Sequence, residues 1–293
     1  MDLNPRRLIR RLVRAPAWLW HRALGMTGGS PCPACGRPSR LRRRRVLWPE
    51  LIETWELDER WATWFDEREG RHCPLCGASL RARQLASGLL RVGDDLCGVQ
   101  ATSLAALCAH PRCADLRVAE INGAGRLHPF LARLPRLAYS EFGSQDPDVP
   151  AEDLLNLSYA DETFDLVITS ETLEHVPSVD GALREIRRIL RPGGWHVFTV
   201  PVVWDRPRTR QRTHLVDGAW RHALAPSYHG RPEQRPDDLL VVYEFGADFV
   251  RRCQEAGFAV EVLRDPENLA LSTFLTRRSS PAGRDDRGAV RHE

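Results

Sequence analysis

From residue 101 onward, short apolar runs alternate with segments of helical periodicity, and this rhythm limits the chain to few folds. It predicts strands and helices that follow one another along the chain, which is typical of an α/β sheet. The predicted strands are 116–121, 136–141, 164–169, 195–200, 258–263 and 271–276, with a short one near 153–155. The predicted helices are 127–133, 179–190 and 246–256.

Two cysteine motifs precede this region, and both read C-P-x-C-G. In each motif, the proline and the glycine shape a tight turn that directs two sulfurs at one cation. Four thiolates complete a tetrahedral zinc site without an open position, so the predicted role is structural. A redox dithiol pair is the alternative. The predicted metal ligands are Cys32, Cys35, Cys73 and Cys76.

The segment between the two motifs is longer than in compact zinc ribbons. It has 37 residues, where about 15–20 are usual. Aromatic side chains at near-helical spacing, among them Trp55, Trp61 and Phe65, predict a helix over 49–68 that packs on the metal site. Such a stripe is more often core than a platform for stacking bases. The other four cysteines are interpreted as ordinary thiols: Cys97, Cys108, Cys113 and Cys253.

Charge is distributed unevenly along the 293 residues. Residues 1–45 hold twelve arginines and one acid, whereas acids outnumber arginines in the rest. The basic end can contact RNA or an anionic membrane surface, or it is a solvated extension. The chain has no lysine, which excludes a Schiff base and a Walker lysine.

The same composition predicts where the domains begin and end. Residues 1–30 form the basic extension, 31–92 the zinc-knuckle module, 93–278 the α/β domain and 279–293 a disordered tail. No apolar run reaches the ~18–20 residues of a membrane span. Arginines interrupt the first 25 residues, so no secretory signal is expected, and the predicted location is cytoplasmic.

A ligand site is predicted where the strand 116–121 runs through glycines into a helix. Gly123 and Gly125 let the backbone approach a ligand, and a helix N-terminus adds oriented N–H groups. Glu141 follows Glu120 by 21 residues, at the end of the next strand, where a carboxylate can accept both hydroxyls of a ribose. The full G-x-G-x-x-G pattern is absent, so the kind of nucleotide stays open at this point.

Further motifs follow in order: an acid-led loop from Asp153, F-D-L-V from Phe164, L-E-H-V from Leu173 and L-R-P-G-G from Leu190. With them, the chain resembles the class I S-adenosylmethionine-dependent methyltransferases of the type 11 kind over about residues 115–277. The resemblance implies a Rossmann-like sheet of seven strands with the last strand antiparallel. The glycine loop departs from the family's E-x-G-x-G-x-G, because it is one residue and one glycine short.

The resemblance also implies a cofactor site. Gly123 and Gly125 would cradle the methionine part of S-adenosylmethionine, Glu120 would anchor their loop, and Glu141 would bind the ribose. The remaining implied contacts are Asp153 and Leu154 at the adenine, and Ser170 and Glu171 beside the sulfonium.

Methyl transfer needs alignment of the acceptor, the methyl carbon and the sulfur, and some acceptors also need a base. The candidates lie in the insert 202–243, which contains a Tyr-His-Gly turn interpreted as a lid. The predicted catalytic residues are His229, Tyr228 and His222. A structural role for the loop histidine is the alternative, and His175 and Glu174 have the alternative roles of a turn cap and an ion-pair partner.

The predicted function is therefore methyl transfer to a small-molecule or glycan-type acceptor. Two other hypotheses remain. One is an RNA methyltransferase that grips phosphates with the zinc module and the arginine-rich end. The other is a methyltransferase-like binding protein that has lost catalysis through its shortened glycine loop.

Overall fold

The computed structural model describes residues 29–228 and 240–279. Its first part is a small module followed by a long helix. The elements are β1 (Arg42–Arg43), α1 (Pro49–Thr54), α2 (Glu59–Gly70), β2 (Arg71–His72), α3 (Leu80–Cys97) and α4 (Leu104–Cys108). β1 and β2 pair antiparallel. No described helix combines the length and the apolar character that a membrane crossing needs.

A six-stranded sheet forms the second part, which confirms the predicted α/β fold. Its elements are β3 (Val118–Ile121), α5 (His128–Leu131), β4 (Leu137–Ser140), β5 (Phe164–Ser170), α6 (Val179–Ile189), β6 (Leu190–Thr199), then, after the insert, α7 (Phe249–Glu255), β11 (Phe258–Arg264) and β12 (Ser272–Arg278). The insert holds β7 (Arg210–Gln211), β8 (Thr213–Val216), β9 (Ala219–His222) and β10 (Tyr243–Glu244). The sheet order is β4-β3-β5-β6-β12-β11.

The direction of the last strand agrees with the prediction, but the number of strands does not. β12 runs antiparallel to both of its neighbours. In the described residues, the segment near 153–155 that was predicted as a strand is a tight turn, and a single parallel bridge joins Glu141 to Ala151 just before it. The Leu155 amide donates to the Asp153 carboxylate at 2.8 Å and the Asn156 amide to the Asp153 carbonyl at 2.9 Å, so these donors are used within the turn. The edge beyond β4 is therefore a loop.

The helix α6 shows how the sequence pattern produces packing. The Ser178 hydroxyl accepts from the Gly181 amide at 3.2 Å and caps the first turn. The apolar positions of α6 recur every three or four residues and are all buried against the sheet: Val179, Ala182, Leu183, Ile186 and Ile189.

The predicted helix between the cysteine motifs is broken into α1 and α2. Asp58 caps α2 by accepting from the Trp61 amide at 2.8 Å, which starts a new helix there. The aromatic stripe is core, as predicted, but its location differs from the prediction. Trp61 and Phe65 pack against Val203 and Ala270 beside the sheet rather than on the metal site, because the apolar side of the knuckles packs in a different cluster, which includes Leu85 of the following helix.

The helix α3 joins the module to the sheet. The predicted domain boundary after residue 92 falls inside this helix. A Cβ atom on Gly88 would lie 2.8 Å from Thr273 Cγ2 on β12, so the helix and the strand are in close contact. Cys32 and Cys73 belong to the same apolar cluster as Val197 on β6. The module and the sheet therefore share one core.

Candidate active site at the carboxyl edge of the sheet

The loop after β3 turns sharply at its glycines. Gly123 and Gly125 have φ angles of 40° and 58°, which favour glycine. The buried Glu120 carboxylate accepts from the Ala124 amide at 2.6 Å, and its other oxygen lies 2.7 Å from His128 Nδ1. A Cβ atom on Gly125 would meet no atom within 4 Å. Glu120 thus anchors the loop, and the space at Gly125 fits a ligand that approaches the backbone.

Glu141 lies beside this loop at the end of β4. A Cβ atom on Gly123 would lie 3.5 Å from Glu141 Oε1, the oxygen that also accepts from the Tyr139 hydroxyl. Burial and the Glu141 carboxylate raise the pKa of Tyr139, so its hydroxyl remains a donor. Glu141 forms a β-bridge with Ala151, and this bridge places the residues that follow, exposed Asp153 and buried Leu154, at the same edge of the sheet. The structure therefore brings the predicted ribose and adenine residues to the glycine loop.

Two arginines of the N-terminal part bind the predicted residues at the end of β5. Arg68, with a side chain 2% exposed, donates to both carboxylate oxygens of Glu171 at 2.7 and 2.8 Å. Arg81 donates to the Ser170 hydroxyl at 2.5 Å and to Glu69 at 2.7 Å. Glu69 also accepts from Arg68 at 2.6 Å. Burial alone would lower the pKa of Arg81, but Glu69 and Glu171 raise it, so the guanidinium stays charged.

A cavity of about 320 Å³ opens between this ion-pair network and the N-terminal module. One wall consists of seven apolar side chains from residues 46–65, among them Trp48, Trp55 and Phe65. The opposite wall contains Arg68, Glu69, Arg81, Glu171, His175 and Pro201. Small-molecule sites have volumes of about 300–1,000 Å³, so this cavity has the size of a small-ligand site.

Burial affects the protonation of two residues in the L-E-H-V turn, His175 and Glu174. His175 Nδ1 lies 2.9 Å from the Leu240 carbonyl oxygen. A carbonyl only accepts, so Nδ1 carries the proton and the neutral ring keeps its lone pair on Nε2. Burial lowers the pKa of His175, which keeps the ring neutral at pH 7. Burial and the charge of Glu171 raise the pKa of Glu174 well above its usual range.

The two cysteine motifs meet as the sequence predicts. The four sulfurs lie within 4.8 Å of one another: Cys32, Cys35, Cys73 and Cys76. Cys32 and Cys76 Sγ are 3.9 Å apart, close to the ~3.8 Å that zinc–sulfur bonds of about 2.3 Å give in a tetrahedron. The Gly36 and Gly77 amides donate to the Cys32 and Cys73 carbonyls at 2.7 and 2.8 Å. This donor set fits a zinc ion.

The two predicted catalytic residues that the structure describes lie away from the cavity. His222 is exposed at the end of β9, and Tyr228 is half-buried on a single β-bridge. Neither is among the described residues that line the cavity. His229 lies outside the described residues. Ser227, which precedes Tyr228, does contact the cavity wall, because its hydroxyl accepts from Trp55 Nε1 at 2.8 Å.

Sequence reasoning missed Arg68 and gave His175 only a structural role. A signal for Arg68 was available, because Trp61, Phe65 and Arg68 are spaced i, i+4 and i+7 and so share one helix face. An arginine on a buried face requires a buried acid. Nothing in the local sequence shows that this acid is Glu171.

The sheet is Rossmann-like with one antiparallel strand, a glycine turn after β3 and an acid after β4, an arrangement typical of sheets that bind nucleotide cofactors at their carboxyl edge. Residues 127–198 match the family model described as a methyltransferase domain. This stretch of the chain is thus similar to that family.

Curated relatives also match only part of the chain. A ubiquinone biosynthesis O-methyltransferase of Albidiferax ferrireducens is 30% identical over 124 residues, which cover 42% of this chain and 38% of that protein. A sterol 24-C-methyltransferase of Gibberella zeae is 43% identical over 68 residues, 22% of this chain and 18% of that protein. The norajmaline N-methyltransferase of Rauvolfia serpentina is 51% identical over 41 residues, 14% of each. The chain spans less than two fifths of the length of these relatives.

Solved structures with a similar fold include the [4+2]-cyclase SpnF, with 16% identity and a TM-score of 0.42 over 68% of this chain and 83% of that chain. An S-adenosylmethionine-dependent methyltransferase from Mesorhizobium loti has 18% identity and a TM-score of 0.35 over 58% of this chain and 94% of that chain.

Proposed function

We propose that this protein is an S-adenosylmethionine-dependent methyltransferase that acts on a small-molecule or glycan-type acceptor. The observation that carries the proposal is the convergence of the glycine loop, Glu141 and Asp153 at one sheet edge. Sheets of this kind bind ligands at the carboxyl ends of their strands. The cavity of about 320 Å³ at the end of β5 supports a small acceptor.

Each residue of the edge has a role in this proposal. The backbone at Gly123 and Gly125 lies against the methionine part of the cofactor, the Glu141 carboxylate accepts from the ribose hydroxyls, and Asp153 accepts from the adenine amine. S-adenosylmethionine, when bound, supplies a methyl group on a sulfonium that needs no further activation. The protein therefore contributes mainly alignment and the exclusion of water. The roles assigned to His222, Tyr228 and His229 remain predictions.

Zinc has a structural role in this proposal. Four thiolates would fill the coordination sphere, so no position is left for a substrate. Because Cys32 and Cys73 lie in the core that α3 shares with the sheet, the metal would stabilise the module that carries the apolar cavity wall.

Calorimetric titration with S-adenosylhomocysteine tests the cofactor assignment. We expect saturable binding, and no binding up to millimolar concentration would contradict the proposal and favour the binding protein without catalysis. Transfer of labelled methyl from S-adenosylmethionine into a fractionated cell extract then tests the acceptor. Label is expected in the small-molecule or glycan fraction, whereas label in RNA would show that the acceptor is wrong.

A further inference from the structure

Two cysteines outside the predicted zinc site are in contact where the N-terminal module joins the sheet. Cys97 is the last residue of α3, and Cys113 is the last residue of a 3-10 turn, Pro111–Cys113. Their sulfur atoms are 3.0 Å apart, and both are free thiols. We propose that this pair is a modification site, which a small-molecule disulfide such as glutathione disulfide oxidises to a Cys97–Cys113 disulfide. The inference is independent of the proposed function.

The backbone beside the two cysteines brings their sulfurs together. Gly98 follows Cys97 with a φ angle of 61°, and its amide donates to the Asp94 carbonyl at 2.8 Å, so α3 ends there and the chain turns back. The Arg112 guanidinium donates to the Gly98 carbonyl at 3.2 Å. This hydrogen bond joins the residue after Cys97 to the residue before Cys113. A second contact therefore holds the same two segments together, independently of the sulfurs.

The turn that carries Cys113 is held on both sides. The Cys113 amide donates to the His110 carbonyl at 2.9 Å, and its carbonyl accepts from the Leu116 amide at 3.2 Å. Cys113 and Cys97 both pack in the apolar cluster that α3 shares with the sheet. A disulfide bond is about 2.05 Å long, so the two sulfurs have to approach by about 1 Å. A small rotation of the Cys97 side chain, at the end of its helix, supplies this shift.

Solvent access decides where the reaction starts. The Cys97 side chain is half-buried, whereas Cys108 and Cys113 are buried, so a dissolved disulfide reaches Cys97 first. Burial and the contact with Cys113 raise the pKa of Cys97 to about 12. Because the thiolate is the form that attacks a disulfide, this step is slow. The pair is therefore suited to a slowly formed cross-link and lacks the reactive thiolate of a redox catalyst.

Two exchange steps form the bond. The Cys97 thiolate attacks glutathione disulfide, breaks its sulfur–sulfur bond, forms a mixed disulfide and releases one glutathione. The Cys113 sulfur then attacks the Cys97 sulfur and displaces the second glutathione. The two protein thiols are oxidised, one glutathione disulfide is reduced, and the two thiol protons end on the two released glutathione molecules.

The cross-link closes a loop that contains α4. Cys97 and Cys113 are 16 positions apart, and closing such a loop restricts the unfolded chain. One end of the loop is α3, which packs on β12 at Gly88, and the other end lies five residues before β3. The disulfide would therefore tie the long helix of the module to a central strand of the sheet. We expect it to raise the melting temperature.

Peptide mass spectrometry on the full-length, zinc-loaded protein tests the cross-link. The protein is incubated with excess glutathione disulfide, its remaining thiols are alkylated, and a tryptic digest is analysed without reduction. We expect the peptide 92–112 to be linked to the peptide 113–117, with the zinc content of the protein unchanged. Absence of the linked peptides, or a stable glutathione adduct on Cys97 beside a free Cys113, would overturn the proposal.

Two variants identify the partner of Cys113, because the peptide 92–112 also contains Cys108. Cys97→Ser should abolish the link, and Cys108→Ala should keep it. A link that survives Cys97→Ser would assign the bond to Cys108 and overturn the proposal.

Thermal unfolding of the oxidised and the reduced form of each protein measures the effect on stability. Oxidation should raise the melting temperature of the parent and of Cys108→Ala by at least about 3 °C, and that of Cys97→Ser should not change. Equal shifts in all three proteins would show that the Cys97–Cys113 bond does not stabilise this junction, which would overturn that part of the proposal.

Discussion

Glu141 shows what a single residue contributes to the proposed cofactor site. It is exposed at the end of β4, so its carboxylate adds little to packing. We predict that Glu141→Ala weakens S-adenosylhomocysteine binding at least tenfold. Charge-assisted hydrogen bonds contribute about 1.5–3 kcal/mol each, and solvent compensates only part of their loss. Calorimetric titration measures the change.

Asp115→Ala is the matched control. Asp115 is exposed and binds Arg136 at 2.8 Å at the opposite edge of the sheet. Its removal should leave S-adenosylhomocysteine binding unchanged. If Glu141→Ala binds as tightly as the parent, the ribose contact belongs to another residue.

His196 makes stability depend on pH. It is fully buried on β6 with Nε2 at 3.0 Å from Thr169 Oγ1, and burial lowers its pKa from 6.5 to about 3. Between these two values the unfolded chain binds a proton that the native chain does not. The free energy of unfolding is therefore unaffected by His196 above about pH 6.5 and falls as the pH is lowered toward 3. At pH 5 the loss is about 2 kcal/mol.

Urea unfolding at pH 7 and pH 5 tests this prediction. His196→Gln should remove this part of the pH dependence, whereas His214→Gln, at an exposed histidine, should not. Equal pH dependence of the His196 variant and the parent would contradict the prediction.

At the scale of elements, the cysteine motifs act as one unit. We predict that the isolated protein holds one zinc and that Cys73→Ser loses zinc and melts at a lower temperature, because three thiolates no longer complete the site. Metal analysis and thermal unfolding measure both effects. Cys253→Ser changes a buried thiol on α7 in another apolar cluster and should keep the zinc. A Cys73→Ser protein with full zinc and unchanged melting would exclude the site.

The bidentate ion pair joins α2 to the end of β5. We predict that Arg68→Met lowers the free energy of unfolding by about 3–5 kcal/mol, because Glu171 loses its main cationic partner in a poorly hydrated place. Adding Glu171→Gln should recover part of the loss. Arg60→Met on the same helix removes a surface pair and should cost about 0–1 kcal/mol. Equal effects of Arg60→Met and Arg68→Met in urea unfolding would contradict this.

The positions of most strands and helices could be predicted from the sequence, because they depend on the local spacing of apolar residues. The strands β5, β11 and β12 lie within two residues of their predicted bounds. α5 is shorter than the predicted 127–133 at both ends, because Leu127 belongs to a 3-10 turn and the helix ends at Leu131. The predicted short strand near 153–155 is absent because Asp153 closes a turn there, with its carboxylate and carbonyl accepting from the Leu155 and Asn156 amides.

At the scale of the whole molecule, we predict that deletion of residues 1–27 leaves S-adenosylhomocysteine binding within twofold of the parent. All residues of the proposed cofactor site lie between 120 and 171. Calorimetry on the truncated chain measures this. Lost cofactor binding would contradict the prediction, and loss of salt-sensitive RNA binding on truncation would support an RNA contact of the basic end.

The sequence by itself determined the α/β class, the glycine loop with Glu120, the acids Glu141 and Asp153, and the two cysteine motifs. Each depends on spacing within one short segment or on strand ends that meet at one edge. Only the tertiary structure decided that α2 packs beside the sheet, that Arg68 binds Glu171 and that His175 faces the cavity. These contacts join residues about 100 positions or more apart, and their energies depend on burial and geometry that no local pattern encodes.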